Sequence, residues 1–168
     1  MGAVFGNPSS THATGVQARE LVDAVRARAA RVLGAGQGDV LFTSGATEGI
    51  QTAVLSALCA VRERQARGET VGSLLLYGAT EHKAVPESLA HWSRVLGLQL
   101  ELKALPVARS GRHDLAALRA LAPQAALVCT MAANNETGVV SDLAGIEAVR
   151  QGMAPHPYWL ADCVQALG

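Results

Sequence analysis

The sequence predicts an α/β fold: a mostly parallel sheet with helices on both faces. Three observations lead there. Short apolar runs alternate with longer segments whose apolar residues recur at helical spacing, the pattern of strands joined by crossover helices. The connections between them are short. Hydrophobic residues make up 49% of the chain but aromatics only 4%, so the core is built from small aliphatic side chains, which suits helices packed closely on a sheet. The 168 residues are enough for one domain with a core of its own, and residues 1–168 are read as a single unit without repeat, low-complexity tract or linker.

Each element follows in turn. From Thr14 to Leu33, Val22, Val25, Ala29, Val32 and Leu33 fall at helical spacing, and Gly34 stands where a helix stops. Residues 39–43, Asp39-Val40-Leu41-Phe42-Thr43, read as a short buried strand broken by Gly45. Thr47 to Ala66 is a long helical pattern ending in a charged stretch, and Val61 to Gly72 reads as a surface insertion. Ser73 to Tyr77 is an apolar strand. Ala84 to Leu96 is a helix with Pro86 in its first turn. Leu98 to Leu102 carries Leu on every second residue, a strand pattern. Asp114 to Leu121 is a short helix stopped by Pro123, Ala125 to Met131 a strongly apolar strand, Asp142 to Gln151 a helix, and Tyr158 to Ala161 a last short strand.

Composition removes several function classes. Fourteen basic residues balance fourteen acidic ones, so no general attraction to nucleic acid or an anionic membrane is expected. Arg26, Arg28 and Arg31 read as a solvated helix face. No apolar run is long enough to cross a bilayer, and the first residues do not resemble a signal peptide. Cys59, Cys129 and Cys163 are far apart and odd in number, which argues against a disulfide framework or zinc ribbon and for a reducing, cytoplasmic setting. The five histidines show no metal-binding spacing, so no metal is expected.

The polar residues fall where an open parallel sheet binds its ligands, beyond the carboxyl ends of the strands. Ser44-Gly45-Ala46-Thr47 joins a strand to a helix start. Unpaired N–H groups and the positive end of the dipole make such a start a seat for phosphate. Plain capping by Ser44 or Thr47 is the competing reading. Thr80-Glu81-His82 follows the second strand. His82 is either a surface residue or a catalyst whose ring Glu81 orients. Asn134-Asn135 either makes a turn or fixes a polar ring ligand. Asp162, at the end of a buried strand, suits a cationic nitrogen, since a carboxylate there is costly unless paired.

These clusters also carry a resemblance. Phe5-Gly6-Asn7-Pro8-Ser9-Ser10-Thr11-His12, Phe42-Thr43-Ser44-Gly45-Ala46-Thr47-Glu48, Thr80-Glu81-His82-Lys83-Ala84-Val85, Met131-Ala132-Ala133-Asn134-Asn135-Glu136-Thr137-Gly138-Val139-Val140 and Asp162-Cys163-Val164-Gln165-Ala166-Leu167-Gly168 resemble, in order and spacing, the motifs of cysteine desulfurases. These are fold-type I pyridoxal-phosphate enzymes close to the class V aminotransferases. The resemblance implies a partial large domain of that transferase fold, with pyridoxal 5'-phosphate as cofactor. It implies that Ala46 and Thr47 bind the phosphate and that His82 stacks on the ring and moves protons. Asn135 and Gln165 would contact the ring hydroxyl, and Asp162 would pair with the pyridine nitrogen. It further implies L-cysteine as substrate, sulfur leaving as an enzyme persulfide for a sulfur-acceptor protein or iron–sulfur cluster assembly, and a homodimer or complementing chain. Selenocysteine lyase, another class V β-lyase and a non-catalytic remnant of the fold share these motifs. The family's Schiff-base lysine follows the Asp-x-x-Gln motif, and this chain ends before it. Neither Lys83 nor Lys103 stands at that lysine's position, and none of the three cysteines matches the family's catalytic one. The resemblance therefore implies the cofactor cup of a truncated chain.

Overall fold

A computed structural model describes residues 5–166, which divide into two compact units, one up to Thr43 and one from Ser44 onward. Met1 to Val4, Leu167 and Gly168 lie outside the described residues, so the ends of the first and last motifs do too.

The first unit is built on helix α1 (Ala13–Leu33). His12 caps it, its Nδ1 accepting from Gly15 N–H at 3.1 Å. Gly34 ends it in the left-handed conformation (φ 62°), where a Cβ is disfavoured. Residues 39–43 form no strand, which corrects the sequence expectation: Leu41 is 74% exposed and Phe42 56%. No strand is described in this unit to supply a ladder, and a lone apolar run without one does not become a strand. Arg26 is not simply solvated either. Its Nε donates to Val40 O at 2.9 Å, and its guanidinium stands 5.9 Å from the Phe42 ring centre, so it ties this segment to the helix.

The second unit holds the sheet. Its elements are α2 (Ala46–Ala66), β1 (Leu74–Gly78), α3 (Ala84–Val95), β2 (Glu101–Leu105), α4 (Leu115–Leu121), β3 (Ala125–Met131), α5 (Leu143–Gln151) and β4 (Tyr158–Asp162). The strands are parallel and ordered β2-β1-β3-β4. Successive side chains of a strand point to opposite faces. Leu75, Leu127 and Cys129 accordingly pack with α2 and α3 through Val54, Leu58, Val85 and Leu89. Leu74, Leu76 and Val128 pack with α4 and α5 through Leu118, Ile146 and Val149. Helices therefore cover both faces, as expected, and central β3 is buried along its whole length.

β2 begins three residues later than the Leu alternation suggests. Its pairing with β1 aligns Leu74 with Glu101, while Leu98 and Leu100 pack against the core from the connection. Val61 belongs to the core at 1% exposure, so the expected surface insertion starts only after it. Asp114 and Asp142 are helix caps: Asp114 Oδ1 accepts from Ala116 and Ala117 N–H, and Asp142 Oδ1 from Gly145 N–H.

The strand order positions the site. The chain leaves β1 toward β2 on one side, then crosses back to β3 on the other. The reversal falls between β1 and β3, and the loops that follow these two strands diverge there and open a crevice.

Candidate functional site

A cavity of about 210 Å³ opens at this crevice. Its wall includes all six residues singled out from the sequence: Ala46, Thr47, His82, Asn135, Asp162 and Gln165. Residues 116 positions apart in the chain, Ala46 and Asp162, thus share one depression. Ile50, Met131, Ala133 and Val164 supply apolar surface between them. These four were not singled out. Met131, Ala133 and Val164 stand inside the quoted motifs without an assigned role, and Ile50 lies two residues past the Glu48 that ends its motif.

The α2 start forms one end. Gly45 is its N-cap, a residue with no side chain of its own to cap with. Ser44 instead turns to Glu48: its N–H and hydroxyl both donate to Glu48 Oε2, at 2.6 and 2.5 Å. These two bonds hold the Glu48 carboxyl below its ordinary range. Capping by Ser44 or Thr47, the competing reading of this segment, does not occur. The exposed Thr47 hydroxyl lines the cavity beside the helix end, so the positive end of the dipole faces it.

His82 stands on the loop after β1. Its Nδ1 accepts from Ala84 N–H at 3.2 Å, from which the neutral ring carries its proton on Nε2. Glu81 does not orient this ring, contrary to the sequence expectation. Its side chain is fully buried and turns beneath the site, where Oε1 accepts from Met131 N–H at 2.5 Å and lies 3.7 Å from His113 Nε2.

Of the two roles foreseen for the asparagines, the turn falls to Asn134. Asn134 makes the turn: its Oδ1 accepts from Glu136 N–H, Thr137 N–H and the Thr137 hydroxyl. Its amide nitrogen donates to Thr80 O at 3.1 Å, tying the loop after β3 to that after β1. Asn135 is left exposed on the cavity wall.

Asp162 ends β4, level with Met131 on β3. Its Oδ1 accepts from Val164 N–H at 3.0 Å, which turns the chain and brings Gln165 to the rim. Cys163, half-buried beside it, has its thiol pushed up by burial and then by the Asp162 charge. Cys129 is pushed up strongly, by burial and then by Glu81. Neither is a ready thiolate.

Each group on the wall has a simple chemical complement. A helix start with a hydroxyl suits a phosphate, and a carboxylate suits a cationic ring nitrogen. Two amides suit a ring hydroxyl, and apolar walls with an imidazole suit a flat ring. Among the described residues no three His, Cys, Asp or Glu side chains cluster so as to hold a metal ion. No helix there is long and apolar enough to cross a membrane.

Comparison with known proteins identifies the family. A family model described as aminotransferase class-V matches residues 2–168. A cysteine desulfurase of Cereibacter sphaeroides is 41% identical over 168 residues, which cover 98% of this chain and 40% of that one. The cysteine desulfurase IscS of Anaeromyxobacter sp. (strain K) is 38% identical, with coverage of 98% and 38%. Among solved structures, a NIFS-like protein superposes with a TM-score of 0.85 at 28% identity, covering 98% of this chain and 43% of its own. DndA from Streptomyces lividans superposes with a TM-score of 0.73 at 32% identity, covering 96% and 42%. The chain spans only about 40% of the length of the curated relatives it matches.

Proposed function

Because the chain belongs to the aminotransferase class-V family, we propose that it carries the pyridoxal 5'-phosphate cup of a cysteine desulfurase. The observation that carries this reading is the convergence of Thr47, His82, Asn135, Asp162 and Gln165 on one cavity at the sheet's crossover point.

Each side chain has a task there. The α2 start, with Ala46 and Thr47, holds the phosphate. Asp162 keeps a proton on the pyridine nitrogen. Asn135 and Gln165 orient the ring through its hydroxyl. His82 covers one ring face, excludes water there and moves a proton at Nε2. When bound, the cofactor supplies an electron sink for chemistry at the substrate's α-carbon. The substrate is L-cysteine, which yields alanine while its sulfur passes to an enzyme cysteine and on to an acceptor protein. Cys59, Cys129 and Cys163 match no sulfur-carrying position of the family, and Lys83 and Lys103 do not match its cofactor-linking lysine, so the whole reaction draws on residues beyond these. The family match runs through both compact units, which supports reading residues 1–168 as one partial large domain. The enzyme works as a homodimer or with a complementing chain. Three free cysteines fit a reducing cytoplasm.

The test uses 4-deoxypyridoxine 5'-phosphate, which has the ring and phosphate but no aldehyde to react with lysines. The chain binds it saturably. Asp162→Asn and Thr47→Val each weaken binding by about tenfold, the equivalent of about 1.4 kcal/mol. Equal binding by wild type and both variants removes the reading.

A further inference from the structure

Beneath the cup lies a buried polar chain that the roles above leave unused. Ser141 Oγ stands 3.1 Å from His113 Nδ1. On the far side of that ring, Nε2 faces Glu81 Oε1 at 3.7 Å. Glu81 Oε1 in turn accepts from Met131 N–H. The Glu81 side chain is fully buried and that of His113 2% exposed. His113 Nε2 and Glu81 Oε2 have no hydrogen-bond partner. Both ends of the chain return to the same strand end, because Ser141 N–H donates to Ala132 O at 2.8 Å.

Electrostatics select one direction for this chain. A proton on Nδ1 would leave a bare Nε2 lone pair facing a buried carboxylate. A proton on Nε2, with the Ser141 hydroxyl donating to Nδ1, turns that repulsion into attraction and gives the orphan nitrogen a partner within a small shift. The backbone makes room for this arrangement. Gly78 sits where a Cβ would lie 2.2 Å from His113 Nε2 and 2.9 Å from Glu81 Oε1.

We propose that Ser141, His113 and Glu81 form a positioning chain for the cup, with the His113 proton on Nε2 directed at the Glu81 carboxylate. Glu81 precedes His82 in sequence and grips the backbone of Met131, which lines the cavity. Fixing its carboxylate from behind therefore fixes the imidazole on one wall and the β3 end on another. His113 and Ser141 touch no cavity atom and act only through Glu81. In its consequence for ligand binding, this inference rests on the cofactor cup proposed above.

Two measurements on the full chain test it. The first is the tautomer of His113, read from two-bond nitrogen–proton correlations of 15N-histidine-labelled protein without ligand. Nε2 is expected to be protonated, and an unprotonated Nε2 overturns the proposal whether or not the cup binds anything. The second compares His113→Gln, whose side-chain amide still reaches Glu81, with His113→Leu, which has similar bulk and no donor. The dissociation constant for 4-deoxypyridoxine 5'-phosphate is expected to rise about tenfold in the Leu variant, as for loss of one contact to a charged group, and to return to within about threefold of wild type in the Gln variant. Equal affinities in the two variants, both folded by circular dichroism, reduce His113 to a space-filling role. Should the Leu variant not fold, Ser141→Ala serves in its place. It is expected to weaken the Nε2–H preference, and an unchanged tautomer counts against the chain. Failure of wild type to bind the analogue refutes the cup and leaves the tautomer result standing.

Discussion

Replacing Gly78 by alanine places a methyl group 2.2 Å from His113 Nε2, 2.8 Å from its Cδ2 and 2.9 Å from Glu81 Oε1. Ordinary contact begins near 3.4 Å, so the imidazole must retreat by more than an ångström. It has little freedom to do so. Ser141 holds its other nitrogen, and its backbone bridges to Val107. Glu81 is held by Met131 N–H. Overpacking at a rigid buried site costs about 1–3 kcal/mol. With a urea m-value of about 1–3 kcal/mol/M, the unfolding midpoint should fall by roughly 1 M. The control is Gly152→Ala, where the nearest atom is the Val149 carbonyl oxygen at 3.5 Å and φ is −71°. That change should stay within about 0.5 kcal/mol, as surface substitutions do. Equal midpoints for the two variants would refute the argument that the backbone at Gly78 is shaped around the Glu81–His113 pair.

Other outcomes follow from local geometry. Asp114→Ala removes the acceptor for two helix N–H groups and should lower stability by about 1 kcal/mol in urea melts, with the analogue's affinity unchanged. Asn134→Ala frees the turn that presents Asn135 and cuts its tie to Thr80 O. It should therefore weaken analogue binding by more than the same substitution at exposed Glu136, measured by titration. Glu147 is held at about 2 by the Arg150 hydrogen bonds and then by Gln151. Its folded value lies below its ordinary one of 4.5, so its contribution is present above pH 4.5 and is lost as the pH falls toward 2. The side chains are part-exposed, at 26% for Arg150 and 30% for Glu147, so solvent screens the pair and the effect is small. Glu147→Gln should give a flatter stability profile across that window, and an identical profile would contradict the linkage. Iodoacetamide should label Cys59 first and Cys129 last in the native chain, since burial leaves the Cys129 thiol protonated.

Much of this architecture was legible in the sequence, for identifiable reasons. β3 was read with its observed bounds because seven consecutive residues, all apolar but Thr130 and buried on both faces, leave little ambiguity. Apolar periodicity, with Gly34 as a stop for α1 and Pro86 in the first turn of α3, placed α1, α2 and α3 within a residue or so of their positions. The Leu alternation before β2 misled because Leu98 and Leu100 pack from a connection, and pairing with β1 rather than local pattern sets where a strand begins. Residues 39–43 have strand composition, but a strand also needs a neighbour. His82, Asn135, Asp162 and Gln165 lie on the cavity wall because strand-end position in a parallel sheet is a property of chain order, whereas Ala46 and Thr47 reach it from the start of α2 with no strand before them. The direction of Glu81 was not legible. Its partners are 50 positions away at Met131 and on a separate loop at His113, and no local signal distinguishes a carboxylate facing its neighbour from one turned into the core.

The proposed cup seats a pyridine ring with its nitrogen against Asp162. The protonation of that nitrogen tests it most directly, using 4-deoxypyridoxine 5'-phosphate carrying 15N in the ring. Bound to the wild-type chain above the free ligand's own ring-nitrogen pKa, the nitrogen should give the shift of a protonated pyridine. Bound to Asp162→Asn at the same pH, it should give that of a neutral one. A nitrogen that stays neutral in the wild type, or is equally protonated in both, would place the ring elsewhere and contradict the account.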